Sequence, residues 1–582
     1  MNENQTSAIG DGTKDLLVFQ LGPVQEFIAQ ARSTRDLWSG SYLLSWLVAK
    51  AIIKLIREGV TTEKDVILPS VANSPLILAL LNGPDGIDAE KALTPNLPNK
   101  CLFLVPSGLG AKCAATARET VLAELAQMGD SVFMWLQSKG LPDAEKLRFY
   151  AQLRAFPQIT YAWTLWGEKE DWSIAYERVE KQLAARRNVR NFAQWYGVAD
   201  LPKDSLSGKE EVIGDETFWH GLRRQDEDLS DEERGKLLFS APGHAYGAIN
   251  LVKRLWMHAA GDEDDHRPSY LADALSMGTG RVWDELRIPS IPEIAMRNRE
   301  ADNPEKTVTD SKNGYVAVLA FDGDRMGKKV SECNRAPAGL QAFSGTLSRF
   351  ALDFAGKTVR KYDGHLIYAG GDDVLAILPS TTAIACGKKL QEEFKVVLGK
   401  DATASCGIAV GHKNAPLQML VTEARKMEHA AKETYGRNAV AIALYKRSGE
   451  IIEWGANWGS KGLDLMSNIT KLVGEKKLSG RFPYALAELL APYDLGNKKP
   501  TIDPDRMMAI IRKEVAHVLS RQGEKLGEAG QKNLLVEICG EEPGEDTEAA
   551  IGGYLGECNG RLGSFIDLFL VETFLNRARN EE

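Results

Sequence analysis

Apolar and polar positions follow two different periods along this chain, and each change of period marks the edge of an element. Leu16-Leu17-Val18-Phe19-Gln20-Leu21 is an apolar run closed by Gly22-Pro23, which predicts a strand. From Gly40, apolar pairs recur every four residues (Leu43, Leu44, Leu47, Val48, Ala51, Ile52, Leu55, Ile56), which predicts a helix with a wide buried face against a sheet. Strand-like runs at 65–68, 101–105 and 159–165 complete an expected α+β unit of roughly 150 residues. Between Trp166 and Ile288 the sequence turns helical and polar.

The pattern sharpens from Tyr315 to Tyr445. It predicts a strand over 315–321, a helix near 340–361, strands over 365–369 and 374–378, and a helix near 383–398. A strand over 402–411, a helix over 417–434 and a strand over 439–445 follow. The order is βαββαβ with an added αβ. Leu340, Phe343, Leu347, Phe350, Ala351 and Phe354 give the first helix one apolar face, and Leu417, Leu420, Val421, Ala424, Met427 and Ala431 do so for the last. Both helices are expected on one side of an antiparallel sheet. Beyond Ser448 the chain reads as mostly helical, ending in a helix lined by Phe565, Ile566, Phe569, Leu570 and Phe574, with a surface loop at 541–546.

Composition narrows the class. With 582 residues, 44% of them apolar, the chain can fill several cores, and a net charge of −9 argues against coating nucleic acid through a broad basic surface. Seven scattered cysteines without a C-x-x-C pair fit reduced cytoplasmic thiols. The longest apolar stretch, 42–56, is interrupted by Lys50 and Lys54 and falls short of the ~20 residues of a spanning helix, so no membrane segment is read. Met1 to Asp15 lacks a signal-peptide core. The acidic clusters at 226–228, 231–233 and 262–265 read as solvated loops. Arg186-Arg187, Arg190 and the Lys253-Arg254 pair read as helix-surface charge with a weak claim on phosphate.

One constellation carries chemistry. Asp322 ends the first strand of the 315–445 segment, and Gly370-Gly371-Asp372-Asp373 forms the turn of its next hairpin. Neighbouring strands lie about 4.8 Å apart, so acids at those two places can share a pair of magnesium or manganese ions. Magnesium prefers carboxylate oxygens, and phosphoryl transfer from a nucleoside triphosphate needs such cations. Gly370 and Gly371 permit the turn and a close nucleotide approach. The segment Asp322-Gly323-Asp324-Arg325-Met326-Gly327-Lys328-Lys329 is expected as a loop whose N–H groups, with Lys328, receive phosphate oxygens. The nucleotide-binding candidates are therefore Gly323, Asp324, Gly327, Lys328, Gly370, Gly371 and Lys432, the last being a helix-end cap as readily as a phosphate contact. The catalytic and metal candidates are Asp322, Asp372 and Asp373. A G-G-D-D turn alone is often a plain hairpin with solvated acids; its place after an apolar strand ending in D-G-D makes it specific. His365, inside an apolar strand, reads as a packed core residue.

At these residues the sequence resembles the palm polymerase and cyclase superfamily, including the GGDEF cyclases, whose A-K-x-x-G-R-N ending is echoed by Ala431-Lys432 and Gly436-Arg437-Asn438. Gly22-Pro23-Val24-Gln25-Glu26-Phe27-Ile28, with the run from Ala31-Arg32-Ser33-Thr34-Arg35-Asp36 to Leu44, resembles the N-terminal signature of type III-B CRISPR effector large subunits. That resemblance covers almost the whole chain. It implies an α+β fold of two ferredoxin-like palm domains, the first degenerate and the second catalytic, alternating with helical domains. The boundaries expected are a loose, flexible N-terminus over 1–15, a degenerate palm over 16–166, a helical domain over 167–288, the G-G-D-D palm over 289–447 and a C-terminal helical domain over 448–582. Where an active palm carries aspartate, the first strand carries Gly22-Pro23.

The resemblance further implies a cytoplasmic, multi-subunit ribonucleoprotein containing guide RNA, in which foreign target RNA switches the palm to make cyclic oligoadenylate from ATP with two divalent cations, in antiviral defence. Many relatives begin with an HD nuclease domain; here no histidine is followed by Asp, and no DNA cleavage is expected. Relatives often carry a cysteine zinc site as well, and the dispersed cysteines here leave its presence open. Some members join AMP to a metabolite such as S-adenosylmethionine. A non-catalytic scaffold and a freestanding diguanylate cyclase are the other readings; the second leaves the N-terminal half without a purpose.

Overall fold

Ten consecutive residues, Thr13–Gly22, form β1, the strand on which the first sheet is built. It pairs antiparallel with β3 (Lys100–Pro106) on one side and with β4 (Gln158–Gly167) on the other, and the short β2 (Val66–Leu68) joins at the β3 edge. The order is β2-β3-β1-β4. This computed structural model describes residues 13–83, 85–167, 169–189, 201–227, 243–256, 288–300, 314–493, 504–522, 524–541, 553–558 and 562–580. The chain divides into two compact units, 1–290 with 325–356 and 366–374, and 291–324 with 357–365 and 375–582. The sequence expectation of a loose 1–15 holds no place for Thr13–Asp15: these belong to β1, where buried Asp15 accepts the N–H groups of Gly108 and Gly110. Residues 1–12 lie outside the described residues.

Alternation along β1 decides what each face of the first sheet receives. Leu16 and Val18, with Leu102, Leu104, Ala162 and Ile67, meet Trp172, Ala175, Val179 and Leu183 of helix α4 (Trp172–Asn188). Helices α1 (Thr34–Arg57) and α2 (Gly110–Ser138) pack on each other, and α2 also packs on β1, β3 and β4. Helix α3 (Lys146–Ala155) leans on α2. By length and hydropathy α1 could cross a membrane, but 83% of its apolar window is buried inside the fold.

The start of α1 explains the N-terminal signature in physical terms. Ser33 Oγ accepts the Asp36 N–H at 3.1 Å while the Asp36 carboxylate accepts the Ser33 N–H, a capping box. The same carboxylate is gripped by Arg254 through Nε and Nη2, each at 2.8 Å. Lys253, fully buried, donates from Nζ to the carbonyls of Phe27 and Gln30 at 2.6 Å each. Gly40 leaves room for it, since a Cβ there would stand 2.7 Å from Lys253 Cε. The Lys253-Arg254 pair of helix α5 (Ala248–Leu255) is therefore a core ion cluster, correcting the expectation of surface charge open to phosphate. A fork of two charge-assisted bonds holds the guanidinium against the desolvation that burial imposes. Arg186 and Arg187 are exposed at the end of α4. Arg190 and the acidic clusters at 231–233 and 262–265 fall outside the described residues, as do Asp228 and most of the 541–546 loop.

The second sheet has six strands in the order β10-β9-β8-β5-β7-β6: β5 (Tyr315–Gly323), β6 (His365–Gly370), β7 (Asp373–Pro379), β8 (Ala404–His412), β9 (Ala439–Tyr445) and β10 (Ile451–Asn457). It is mixed, correcting the expected antiparallel sheet: β8 and β9 run parallel because helix α9 (Leu417–Glu433) carries the chain from the end of β8 back to the end at which β8 began. Helices α8 (Ala383–Leu398) and α9 lie on opposite faces, for adjacent Cys406 and Gly407 of β8 meet Gly387 of α8 and the α9 backbone respectively. The strand β10 breaks the expected helical tail.

Two more expectations change. Met326–Cys333 forms a helix, α6, where a loop was expected. The helix predicted near 340–361 is interrupted: α7 (Pro337–Arg349) runs into a wide-wound turn at Phe350–Ala355 before helix resumes at Gly356–Lys361. Leu340 of α7 joins the apolar cluster on the first sheet, and Gln341 Nε2 donates to the Val66 carbonyl at 2.9 Å, so this end of α7 packs on the first sheet instead of the palm sheet. Past β10, helices α10 (Lys461–Gly474), α11 (Phe482–Leu490), α12 (Pro504–Gln522), α13 (Gly527–Cys539) and α14 (Leu562–Asn580) pack together, with Phe565, Leu568 and Phe569 of α14 buried. All seven cysteines are free thiols.

Candidate active site at the end of the fifth strand

Seven apolar or small residues precede Asp322 in β5, and the alternation of the strand turns Phe321 and Asp322 to opposite faces. Phe321 packs edge-on against Phe394 of α8, 5.7 Å between ring centres. Asp322 faces α9, where its carboxylate Oδ2 accepts the ammonium of Lys432. The same Nζ also meets Glu428 Oε1 at 2.5 Å, one helical turn back on α9. Gly407 brings α9 this close: a Cβ there would overlap the Glu428 nitrogen and the Ala424 carbonyl oxygen. The helix backbone rests directly on β8, and Lys432 is thereby delivered to the neighbouring strand end.

The electrostatics follow from partial burial. Burial pushes the Asp322 carboxyl above its ordinary value, Lys432 pulls the other way, and Glu428 and Asp324 add to the push. Burial also opposes the charged form of Lys432, but Asp322 and Glu428 outweigh it and hold the ammonium above its ordinary value. Lys432 is therefore charged at neutral pH.

Asp324 has a different task from the one its sequence position suggested. It is buried, with Oδ1 accepting the Ser405 hydroxyl at 2.7 Å and Oδ2 the Asn438 N–H at 2.9 Å. Both oxygens are taken. It ties the loop after β5 to β8 and to the Gly436-Arg437-Asn438 turn, where Arg437 and Asn438 hold left-handed φ of 65° and 46°. Asn438 is fixed in turn by Gln391 of α8, 2.7 Å from its side-chain oxygen. Gly323 closes β5 in register with Ala404. Gly327 sits in α6 with open space where a Cβ would stand. The Lys328 N–H is committed to the Arg325 carbonyl at 3.0 Å, so Lys328 offers its ammonium instead; that group is exposed and only 3.8 Å from Glu332.

The Gly-Gly turn is as tight as the sequence predicted. β6 ends at Gly370, β7 begins at Asp373, and Gly371 takes φ +87°, a conformation that needs glycine. The residues entering it belong to the first unit: the Ala369 N–H donates to Pro95 O at 3.0 Å, and Tyr368 lines an apolar cavity with Val24, Ile28, Leu44 and Leu97. The space beside Gly370 is covered by the Tyr368 ring, so its lack of a side chain serves packing as well as access. His365 is neutral, pushed down to about 4 by burial with Arg297 and Arg360 adding to it, as fits a packed strand residue.

Among the described residues, no group of three or more His, Cys, Asp or Glu side chains is gathered into a ready-made metal site. Asp322 itself pairs with the ammonium in reach. The donor chemistry nevertheless fits a hard divalent cation, since the acids supply only carboxylate oxygen and Asp322 already bears a positive group on it. Sequence reasoning missed Glu428 and Ser405, and it quoted Asn438 only within the A-K-x-x-G-R-N echo. Glu428 had a signal in its i,i+4 spacing to Lys432, whereas Ser405 had none.

Comparison with known proteins bears on both units. Residues 315–441 match the family model described as Cas10/Cmr2, second palm domain, and residues 16–130 match CRISPR-associated protein Cmr2, N-terminal. The CRISPR system Cmr subunit Cmr2 of Pyrococcus furiosus is 24% identical, over 90% of this chain and 72% of its own length. The Mycobacterium tuberculosis single-strand-specific deoxyribonuclease Cas10/Csm1 of subtype III-A is 29% identical over 23% of this chain and 16% of its own. Two solved forms of the type III-B Cmr-beta complex, apo and bound to cognate target RNA, share the fold. Their TM-scores are 0.62 and 0.58 at 13% identity, covering 88% and 89% of this chain and 77% and 79% of theirs.

Proposed function

Because this chain belongs to the Cas10/Cmr2 family, as the large subunit of a type III CRISPR effector complex with a palm domain, we propose that its palm is a nucleotidyl transferase that joins ATP into cyclic oligoadenylate. The observation that carries the reading is the acid at the end of β5, partly open and already paired with a cation, on the strand next to β7 in the sheet. Asp322, Asp372 and Asp373 would hold two magnesium or manganese ions. When bound, such ions neutralise the triphosphate and ease ionisation of the attacking hydroxyl. Lys432 meets a phosphate oxygen with its ammonium, as does Lys328 from α6. Asp324 touches no substrate; it keeps the β5 end, β8 and the Asn438 turn in register, so that Asp322 and Lys432 present to one place.

In this reading the chain works in a cytoplasmic type III-B assembly with other subunits and guide RNA, and target RNA activates it in antiviral defence. A cognate target RNA is bound in one Cmr-beta structure. A non-catalytic scaffold is the alternative favoured by one observation, that Asp322 is held by an ammonium. The two are separated by assembling the complex, adding labelled ATP or GTP with magnesium or manganese, and comparing reactions with and without complementary RNA. The transferase reading expects an RNA-dependent product from ATP that disappears in Asp372→Ala/Asp373→Ala while assembly persists. No product under any condition leaves the scaffold.

A further inference from the structure

Lys432 has two carboxylate partners and one charge, and that imbalance suggests how the site changes when a cation arrives. Its ammonium touches Asp322 Oδ2 and Glu428 Oε1 together, and the side chains of Lys432 and Glu428 are only 18% and 16% exposed. Asp322 lies on the β5 end, whereas Glu428 rides on the same helix as Lys432 and stays within reach whatever β5 does. A divalent cation on Asp322 would repel the ammonium at a few ångströms. An ammonium leaving Asp322 in so covered a place would be poorly hydrated, and stranding an unpaired charge there is costly. Glu428 removes that cost, because its contact is already made.

We propose that Lys432 is a displaceable counter-ion of Asp322, and that Glu428 is the positioning residue that retains its ammonium when a divalent cation takes Asp322, presenting it to the triphosphate. The inference rests on the reading of Asp322 as a cation ligand. Glu428 touches neither substrate nor cation; it acts through Lys432. Removing the ammonium frees Asp322 for a cation, so nucleotide-free protein should bind the cation more tightly even as it loses a phosphate contact.

The test is Mn2+ binding to the full nucleotide-free chain, read from the free-ion electron paramagnetic resonance signal, for the parent, Lys432→Met, Lys432→Gln, Asp322→Asn and the Asp322→Asn/Lys432→Met pair, each checked for an unchanged melting profile. The expected result is several-fold tighter Mn2+ binding in both Lys432 variants, at least several-fold weaker binding in Asp322→Asn, and no gain from Lys432→Met in the Asp322→Asn background. Weaker binding in Asp322→Asn with no gain in either Lys432 variant overturns the counter-ion proposal and leaves the cation reading standing. Unchanged binding in Asp322→Asn overturns that reading and the proposal with it. In the assembled complex, Glu428→Gln should raise the KM for ATP several-fold with little change in kcat, and Glu428→Asp should recover part of it. A fall in kcat alone contradicts the positioning role.

Discussion

Two regions of the chain place an acid where it meets a strand or helix end and a basic side chain, and they use that pair in opposite ways. At the start of α1, Asp36 is buried, capped by Ser33 and gripped by both arms of Arg254. Every oxygen there is satisfied and nothing can enter. At the end of β5, Asp322 is partly open, and its partner Lys432 is shared with Glu428. The first arrangement fixes a fold and the second leaves a charge to be exchanged. The contrast separates motif as signature from motif as chemistry, since Ser33, Asp36 and Gly40 of the N-terminal run that carries the family resemblance hold the fold.

The largest effect that sharpens this contrast is on turnover. Asp322→Asn in the assembled complex should lower product formation by about a thousandfold or more, the scale lost with an electrostatic or metal-holding group, while leaving the melting temperature close to the parent's. Parallel losses of stability and activity would place Asp322 in the structural class with Asp36. Asp36→Ala should do the reverse, costing about 3–5 kcal/mol in chemical denaturation by stranding Arg254. Replacing both as Asp36→Leu/Arg254→Met should return much of that stability; a double variant no better than the single contradicts the stranded-charge account.

Gly407→Ala comes next, because the added methyl overlaps the α9 backbone. A cost of about 1–3 kcal/mol is expected together with reduced turnover, since lifting α9 withdraws Lys432 from Asp322. The smallest effect concerns His365. Its folded value of about 4 lies below the unfolded 6.5, so the unfolded chain binds more protons between those limits and stability falls as pH drops through that window. His365→Gln should flatten the loss between pH 6.5 and 5 by on the order of 1–2 kcal/mol, measured by denaturant titration at each pH. An identical pH slope in the variant would show that the imidazole is hydrated in the fold.

What the sequence made legible follows from which physical signals are local. The helix over 383–398 and the strand over 439–445 were read to their ends, because apolar periodicity and flanking polar residues mark both. The Gly370-Gly371 turn was readable because only glycine accepts φ +87° cheaply. Helix α6 was hidden by Gly327 and the D-G-D before it, which mimic a loop, and β10 by Glu453 and Gly455 within a short edge strand. Asp324 looked like a ligand because a sequence shows a carboxylate but not the Ser405 and Asn438 groups that satisfy it. Lys253 and Arg254 looked like surface charge for the same reason. Glu428 resembled an ordinary i,i+4 helix pair until the fold set Asp322 against it.

The measurement closest to the central claim is the mass of whatever the assembled complex makes from ATP when complementary target RNA is added, taken side by side for the parent and Asp372→Ala/Asp373→Ala. The account predicts a cyclic adenylate oligomer, or an adenylate joined to a metabolite, in the parent with RNA and none in the variant. The same product in equal amount from both would contradict it.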